Sequence, residues 1–200
     1  MTIPDPLNLV ITGVGGQGNV LISQIMGHAL LNRGFKVAIG ETFGLSQRGG
    51  SVQSHIRVSP NRTYGPLIPE GQAHVVVGLE PMETLRVLPM FGRKDIKVLA
   101  NIRPVPPLNV VAGEADYPPE DDLKAALEKL SAKLWWVNAT AVAQDLGAAI
   151  MANIVMLGAL CKTGLTPLSS QDLETAMTQL LPPDRLDRNL AAFRAGMELV

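Results

Sequence analysis

A run of glycines between residues 13 and 18 constrains the fold of this chain more than any other feature. A mostly apolar stretch from position 7 to 12 precedes the run, and an apolar pattern with helical spacing follows from Asn19. A strand, a tight turn and a helix in this order place free backbone N–H groups at a helix N-terminus, where the helix dipole favours an anion. Glycine also lets a ligand approach the backbone closely. We therefore predict a cofactor-binding loop that comprises Gly13, Gly15, Gly16, Gln17 and Gly18.

The same spacing, G-x-G-x-x-G, is the fingerprint of dinucleotide-binding folds. In those folds an acidic residue about 20 positions further on, at the end of the second strand, binds the ribose. Glu41 stands there, after a strand predicted at 36–39. A stand-alone NAD(P)- or nucleotide-binding Rossmann protein is therefore one alternative. Another is a scaffold in which the glycines only permit close packing of strand and helix and bind no ligand.

A second polar segment, rich in glycine, follows the second predicted strand. Because parallel strands end at one edge of a sheet, this segment should lie beside the first loop. Its arginine could bind a phosphate or carboxylate in bidentate geometry. We add four residues to the predicted cofactor-binding site: Arg48, Gly49, Gly50 and Ser51.

We predict no catalytic residue and no metal ligand in this chain. The three histidines lack metal-ligand spacing, and no nucleophile stands beside an obvious base. His55, in an alternating strand pattern, fits a structural histidine as well as a catalytic one.

Hydrophobic periodicity predicts an α/β fold. Strands are predicted at 7–12, 36–39, 51–59, 73–79, 96–100 and 134–138, and helices at 19–33, 81–88, 121–131, 139–146, 149–162, 169–180 and 185–199. We expect one domain over residues 1–200, with a Rossmann-like, mostly parallel sheet within 7–138 and helices on both of its faces. Residues 139–200 should form a helical C-terminal part, and the proline-rich stretch 101–119 a loop. The apolar run 151–160 must be buried, either in the core or against a second subunit, so a homodimer is compatible with the sequence.

Composition excludes several classes of protein. A formal net charge of -1 argues against nucleic-acid and anionic-membrane partners, which both require a basic surface. One cysteine, Cys161, cannot hold an iron–sulfur cluster. No apolar run reaches the roughly 18 residues of a membrane span, and the N-terminus has no signal-peptide pattern. We expect a cytoplasmic protein.

Several motifs, in the same order along nearly the whole chain, resemble the gamma-type subunit of 2-oxoacid:ferredoxin oxidoreductases. They are 13–18 (GVGGQG), 47–52 (QRGGSV) with 54–57 (SHIR), 153–160 (NIVMLGAL) and 188–199 (RNLAAFRAGMEL). The sequence of residues 41–52 most resembles that of the small (beta) subunit of indolepyruvate ferredoxin oxidoreductase. That subunit often has histidine where this chain has Phe43, and versions that act on pyruvate, 2-oxoisovalerate or 2-oxoglutarate stay open.

The resemblance implies a subunit, inactive alone, of an enzyme that decarboxylates a 2-oxoacid oxidatively, forms an acyl-coenzyme A and passes electrons to ferredoxin. It implies that thiamine diphosphate and iron–sulfur clusters lie on one or more large partner subunits. It also implies that coenzyme A, bound at the subunit interface, would contact the two glycine-containing loops.

Overall fold

A six-stranded sheet forms the centre of the molecule. The computed structural model describes residues 3–44 and 50–200. The strands are β1 (Leu7–Val14), β2 (Lys36–Phe43), β3 (Ser51–Ser59), β4 (Ala73–Gly78), β5 (Gly92–Asn101) and β6 (Lys133–Val137). The helices are α1 (Asn19–Asn32), α2 (Pro81–Phe91), α3 (Leu108–Val111), α4 (Glu120–Leu130), α5 (Ala139–Asp145), α6 (Ala152–Thr163), α7 (Ser170–Leu180) and α8 (Pro183–Met197), with a 3₁₀ turn at Ala149–Met151. Within these ranges, no helix combines the length and the apolar character that crossing a bilayer requires.

The strand order is β2-β3-β1-β4-β5-β6. Strands β1, β4, β5 and β6 pair in parallel, whereas β3 is antiparallel to both of its neighbours, β1 and β2. The predicted fold class, a mostly parallel α/β sheet, is therefore confirmed. The antiparallel β3, inserted between the first two strands of the chain, is the departure from a simple βαβ opening.

Helices cover both faces of the sheet, as predicted. Strand β1 is therefore buried over its whole length, although its alternate side chains point to opposite faces. On one face, Ile11 belongs to a core shared with α1, α6, α7 and α8. On the other face, Val10 packs in a smaller core with residues of α2 and Leu127 of α4.

The apolar helix α6 is covered by elements of its own chain. Every residue from Asn153 to Leu160 is buried. Helix α8 crosses α6 at two glycines: a Cβ added to Gly158 would lie 1.9 Å from the carbonyl oxygen of Phe193, and one added to Gly196 would lie 2.0 Å from that of Val155. Of the two interpretations of this run, core helix and subunit interface, the structure supports the core helix. Because elements of the same chain already cover α6, this helix does not supply a surface for self-association.

Candidate functional site

The glycine loop joins the end of β1 to the start of α1. Gly16 and Gly18 have φ values of 98° and 86°, in the left-handed region that favours glycine. Gly18 is the N-cap of α1; no side chain caps this helix, and its first turn carries no acidic residue. By contrast, the Glu80 side chain caps α2 and the Asn138 side chain caps α5. The first backbone N–H groups of α1 therefore have no capping side chain, and the positive end of the helix dipole makes this position suited to an anion.

The Gln17 side chain turns back into the protein and fixes the shape of this loop. Its Oε1 accepts a hydrogen bond from the Val14 N–H at 2.7 Å, and its Nε2 donates to the Leu79 carbonyl at 3.2 Å. A Cβ on Gly13 would lie 2.6 Å from Gln17 Oε1, so Gly13 leaves the space that this side chain occupies. Gly13 and Gln17 thus support the loop, whereas Gly16 is exposed at its tip.

The second predicted segment lies directly beside the first. The Gly15 N–H donates to the Gly50 carbonyl at 2.9 Å, and Ser51 pairs with Val14 in the β1–β3 ladder. Of the nine residues predicted for the site, Arg48 and Gly49 lie outside the described residues. The other seven lie together at this edge of the sheet: Gly13 at the end of β1, Ser51 at the start of β3, and the rest in the two loops.

The structure adds polar residues that sequence reasoning did not assign to the site. Asn101, at the end of β5, is buried and donates to the Leu79 carbonyl at 3.2 Å and to Thr140 Oγ1 at 2.9 Å. Asn153 lies at the start of α6, and its Nδ2 donates a hydrogen bond to the Gly18 carbonyl oxygen at 3.4 Å. A polar residue directly after a predicted parallel strand was the available signal for Asn101.

A cavity of about 250 Å³ opens beside the loop tip. The tip of the loop, the Asn101–Thr140 pair and the start of α6 line it. Two exposed apolar side chains, Val105 and Ile150, also line it, together with the exposed cation Arg103. This volume falls below the ~300–1,000 Å³ of sites that enclose a drug-sized ligand. The chain therefore supplies part of a pocket, with donors and one cation suited to an anion.

A buried carboxyl group lies next to this site, at the start of α2. Glu80, 1% exposed, accepts from the N–H groups of Glu83 at 2.8 Å and Val105 at 3.3 Å, and from the Tyr117 hydroxyl. Burial raises the pKa of Glu80 above its ordinary value, while these donors oppose the shift. Through these hydrogen bonds, Glu80 holds the segment that contains Val105 and Tyr117 against the edge of the sheet.

Replacing Glu80 with glutamine should change how stability depends on pH. A carboxyl whose pKa is raised in the folded state favours folding below its unfolded pKa, and this contribution is lost as pH rises through the folded pKa. From about pH 4.5 upwards, the free energy of unfolding of wild type should therefore fall relative to that of Glu80→Gln. Urea unfolding of both proteins at several pH values measures the difference. A difference that stays constant with pH would contradict the assignment.

Glu41 does not occupy the position that a nucleotide-binding fold requires. Its Oε1 accepts from the Ser23 hydroxyl at 2.9 Å and its Oε2 from the Ser54 hydroxyl at 2.7 Å. Because β3 lies between β1 and β2, Glu41 stands two strand spacings, roughly 10 Å, from the glycine strand. The sequence spacing that suggested Glu41 as a ribose-binding acid for NAD is therefore not matched by the position of Glu41 in the structure.

His55 is a structural histidine. It is buried, its Nδ1 accepts from the Ile68 N–H at 3.4 Å, and its ring packs edge-on against Phe91 at 5.0 Å between ring centroids. Burial lowers the pKa of His55, so the ring is neutral at pH 7. Ile68 and Phe91, its two contacts, belong to the smaller core, on the opposite face of the sheet from α1.

Comparison with known proteins gives consistent relatives over nearly the full chain. The family model described as pyruvate ferredoxin/flavodoxin oxidoreductase matches residues 8–199. The indolepyruvate oxidoreductase subunit IorB of Thermococcus kodakarensis is 38% identical, over 96% of this chain and 94% of the relative. The 2-oxoglutarate synthase subunit KorC of Methanothermobacter thermautotrophicus is 29% identical, over 95% of this chain and 93% of the relative.

Solved structures share the fold. The pyruvate oxidoreductase subunit PORC of Thermotoga maritima superposes with a TM-score of 0.70 at 22% identity, covering 98% of this chain and 97% of that one. A 2-oxoglutarate:ferredoxin oxidoreductase of Magnetococcus marinus, with 2-oxoglutarate, coenzyme A and succinyl-CoA bound, superposes with a TM-score of 0.73 at 17% identity. It covers 98% of this chain but 31% of that longer one.

Proposed function

The chain belongs to the pyruvate ferredoxin/flavodoxin oxidoreductase family, and from this premise we propose that the enzyme it helps to form oxidises an arylpyruvate such as indolepyruvate. The resemblance predicted from the motifs is confirmed, and the chain is a small subunit of a 2-oxoacid:ferredoxin oxidoreductase. One observation carries the choice of substrate. Identity is 38% to a subunit named for indolepyruvate and 29% to one named for 2-oxoglutarate, at similar coverage.

We place the contact with a large partner subunit at the open cavity beside the glycine loop. Ile150 is 65% exposed and Val105 is 36% exposed, and both border this cavity. Exposed apolar side chains around an incomplete polar pocket are typical of an interface that a partner completes. The single Cys161 cannot ligate a four-cysteine cluster, so the clusters belong on partner subunits in this proposal. Membership of the family is the ground for assigning thiamine diphosphate to a partner subunit as well. Ferredoxin would then be reduced through the assembled complex.

Coenzyme A is the ligand that we propose for the two loops. The uncapped N-terminus of α1 suits a phosphate group, and Arg103 adds a positive charge at the same cavity. A solved enzyme with the same fold contains coenzyme A. In the proposed arrangement Gly15, Gly16 and Gly18 contribute backbone, and Gly50 and Ser51 form the adjoining wall. Arg48 and Gly49 stay predicted contacts of coenzyme A.

Co-expression with a large thiamine- and cluster-bearing subunit tests the proposal. The two chains should purify together, and the complex should oxidise indolepyruvate with a kcat/KM at least about tenfold above those for pyruvate and 2-oxoglutarate. Ile150→Glu should weaken the association of the two chains, because it places a charge in the apolar contact. Leu130→Glu, on α4 at the other side of the sheet and 44% exposed, is the matched control and should leave association unchanged.

The competing hypotheses give different results in the same preparation. A free chain that binds NADH at micromolar strength and oxidises a substrate without a partner would be a stand-alone nucleotide-binding enzyme. A complex that prefers 2-oxoglutarate or pyruvate would overturn the arylpyruvate assignment and keep the subunit role.

A further inference from the structure

A second cavity, larger than the one beside the glycine loop, opens where α1, the 3₁₀ turn and the start of α8 meet. Its volume is about 560 Å³, within the ~300–1,000 Å³ typical of sites that bury most of a small ligand. Leu21 of α1, with Leu181 and Pro182 before α8, gives this α8 cavity an apolar wall. Apolar walls with a few polar groups are the usual construction of a ligand site.

The α8 cavity and the cavity beside the glycine loop are neighbours. The exposed Ile150 and the buried Asn153 line both of them. Asn153 is also hydrogen-bonded to the carbonyl oxygen of Gly18, the N-cap of α1. A ligand longer than either cavity can therefore pass from the glycine loop along Ile150 into the α8 cavity.

Positive charge predominates in the lining of the two cavities, although the whole chain has a formal net charge of -1. The charged residues that line them are Arg103 in the first cavity and Asp184, Arg185 and Arg188 in the α8 cavity. Asp184 lies 3.8 Å from the Arg185 guanidinium and partly neutralises it.

Arg188 is the cation of the α8 cavity that is free to bind an anion. It is exposed, and within the described part of the chain it forms no ion pair, whereas Arg33, Arg185 and Arg194 each do. It lies three positions after Arg185, so the two arginines share a face of α8. A guanidinium can hold a phosphate group through two parallel hydrogen bonds.

We propose that the α8 cavity binds the adenosine 3′-phosphate end of coenzyme A, with Arg188, and more weakly Arg185, on the 3′-phosphate. The inference rests on the proposed function, in which a phosphate group of the coenzyme lies at the N-terminus of α1. Coenzyme A carries its diphosphate and its 3′-phosphate on one ribose, so a coenzyme held by its diphosphate at the glycine loop needs a second anion site close by. The α8 cavity supplies that site, together with apolar side chains for the faces of the adenine ring.

Dephospho-coenzyme A, which lacks only the 3′-phosphate, tests the assignment in the assembled enzyme. With wild type its KM should exceed that of coenzyme A at least about tenfold, because charge-assisted hydrogen bonds are lost. Arg188→Ala should raise the KM for coenzyme A and leave the KM for dephospho-coenzyme A nearly unchanged, so the ratio of the two falls to near 1. The kcat should keep its wild-type value, because the contact is equally present in the ground state and the transition state.

Two variants serve as controls in the same assay. Arg62 is an exposed arginine in the loop after β3, at the end of the sheet away from the glycine loop, and Arg62→Ala should keep the wild-type ratio. Asp184→Asn should act in the opposite direction to Arg188→Ala. It removes a negative charge from the α8 cavity, so the KM for coenzyme A should fall about twofold.

Equal KM values of wild type for the two coenzymes, or a wild-type ratio in Arg188→Ala, would overturn the inference. If that variant instead weakens association with the large subunit at an unchanged ratio, Arg188 contacts the partner and the inference is equally wrong. The glycine loop is judged separately, by Gln17→Leu, which removes the side chain that supports the loop. A wild-type KM for coenzyme A in Gln17→Leu, with a ratio near 1 in Arg188→Ala, would support the α8 cavity and contradict the contact proposed for the loop.

Discussion

Replacing Gly158 with alanine should lower the free energy of unfolding by about 3 kcal/mol, near the upper end of what overpacking costs. The new Cβ would lie 1.9 Å from the Phe193 carbonyl oxygen and 2.9 Å from its carbonyl carbon. These are backbone atoms of α8, so no side-chain rotation relieves the clash, and the two helices must separate. For a chain of this size the loss corresponds to a fall of roughly 10 °C in Tm, which differential scanning calorimetry measures.

Gly65→Ala is the matched control for this substitution. An added Cβ there meets no atom within 4 Å, and the φ of Gly65 is not positive. Its Tm should therefore stay close to that of wild type, within the ~0.5 kcal/mol typical of surface changes. If Gly158→Ala also unfolded at the wild-type temperature, α6 and α8 would not cross at these glycines.

Local sequence patterns predicted the elements well and their arrangement less well. The strand at 51–59 was predicted with the bounds that β3 has, because its apolar and polar residues alternate cleanly. Strand β5 extends to Gly92–Asn101, beyond the predicted 96–100, because its first residues are polar and the apolar signal begins at Ile96. The position of β3 between β1 and β2 depends on pairing between distant residues, which no local pattern encodes.

In the candidate site, too, the parts that are local in sequence could be predicted and the parts that depend on distant residues could not. The glycine loop could be predicted because strand, turn and helix N-terminus are consecutive in the chain. Asn153 reaches Gly18 from 135 positions away, so its place in the site follows from the packing of α6 against the start of α1. An added Cβ at position 18 would lie 2.1 Å from Asn153 Nδ2, so a side chain there would displace the Asn153 amide, in addition to the strain of a φ of 86°. The inward direction of Gln17 likewise depends on Leu79, 62 positions further on.

Replacing Gln17 with leucine should impair both the loop and the coenzyme A dependence proposed for it. The Val14 N–H would lose its acceptor, and an unpaired buried donor costs about 1–3 kcal/mol. The turn would also lose its link to β4 through the Leu79 carbonyl. Because displacement of a binding group by about 1 Å can reduce turnover by a factor near 100, we expect the KM for coenzyme A to rise at least about tenfold in the assembled enzyme. Steady-state kinetics at saturating 2-oxoacid gives that value, and urea unfolding gives the stability.

Two further variants separate support of the loop from a general loss of stability. Gln17→Glu keeps the acceptor for the Val14 N–H but replaces the donor that faces the Leu79 carbonyl with an oxygen, so its KM for coenzyme A should lie between those of wild type and Gln17→Leu. Gln144→Leu, an exposed position on α5, should leave both KM and stability unchanged. If Gln17→Leu lost stability while its KM for coenzyme A stayed at the wild-type value, the loop would be a structural turn, and coenzyme A would bind elsewhere.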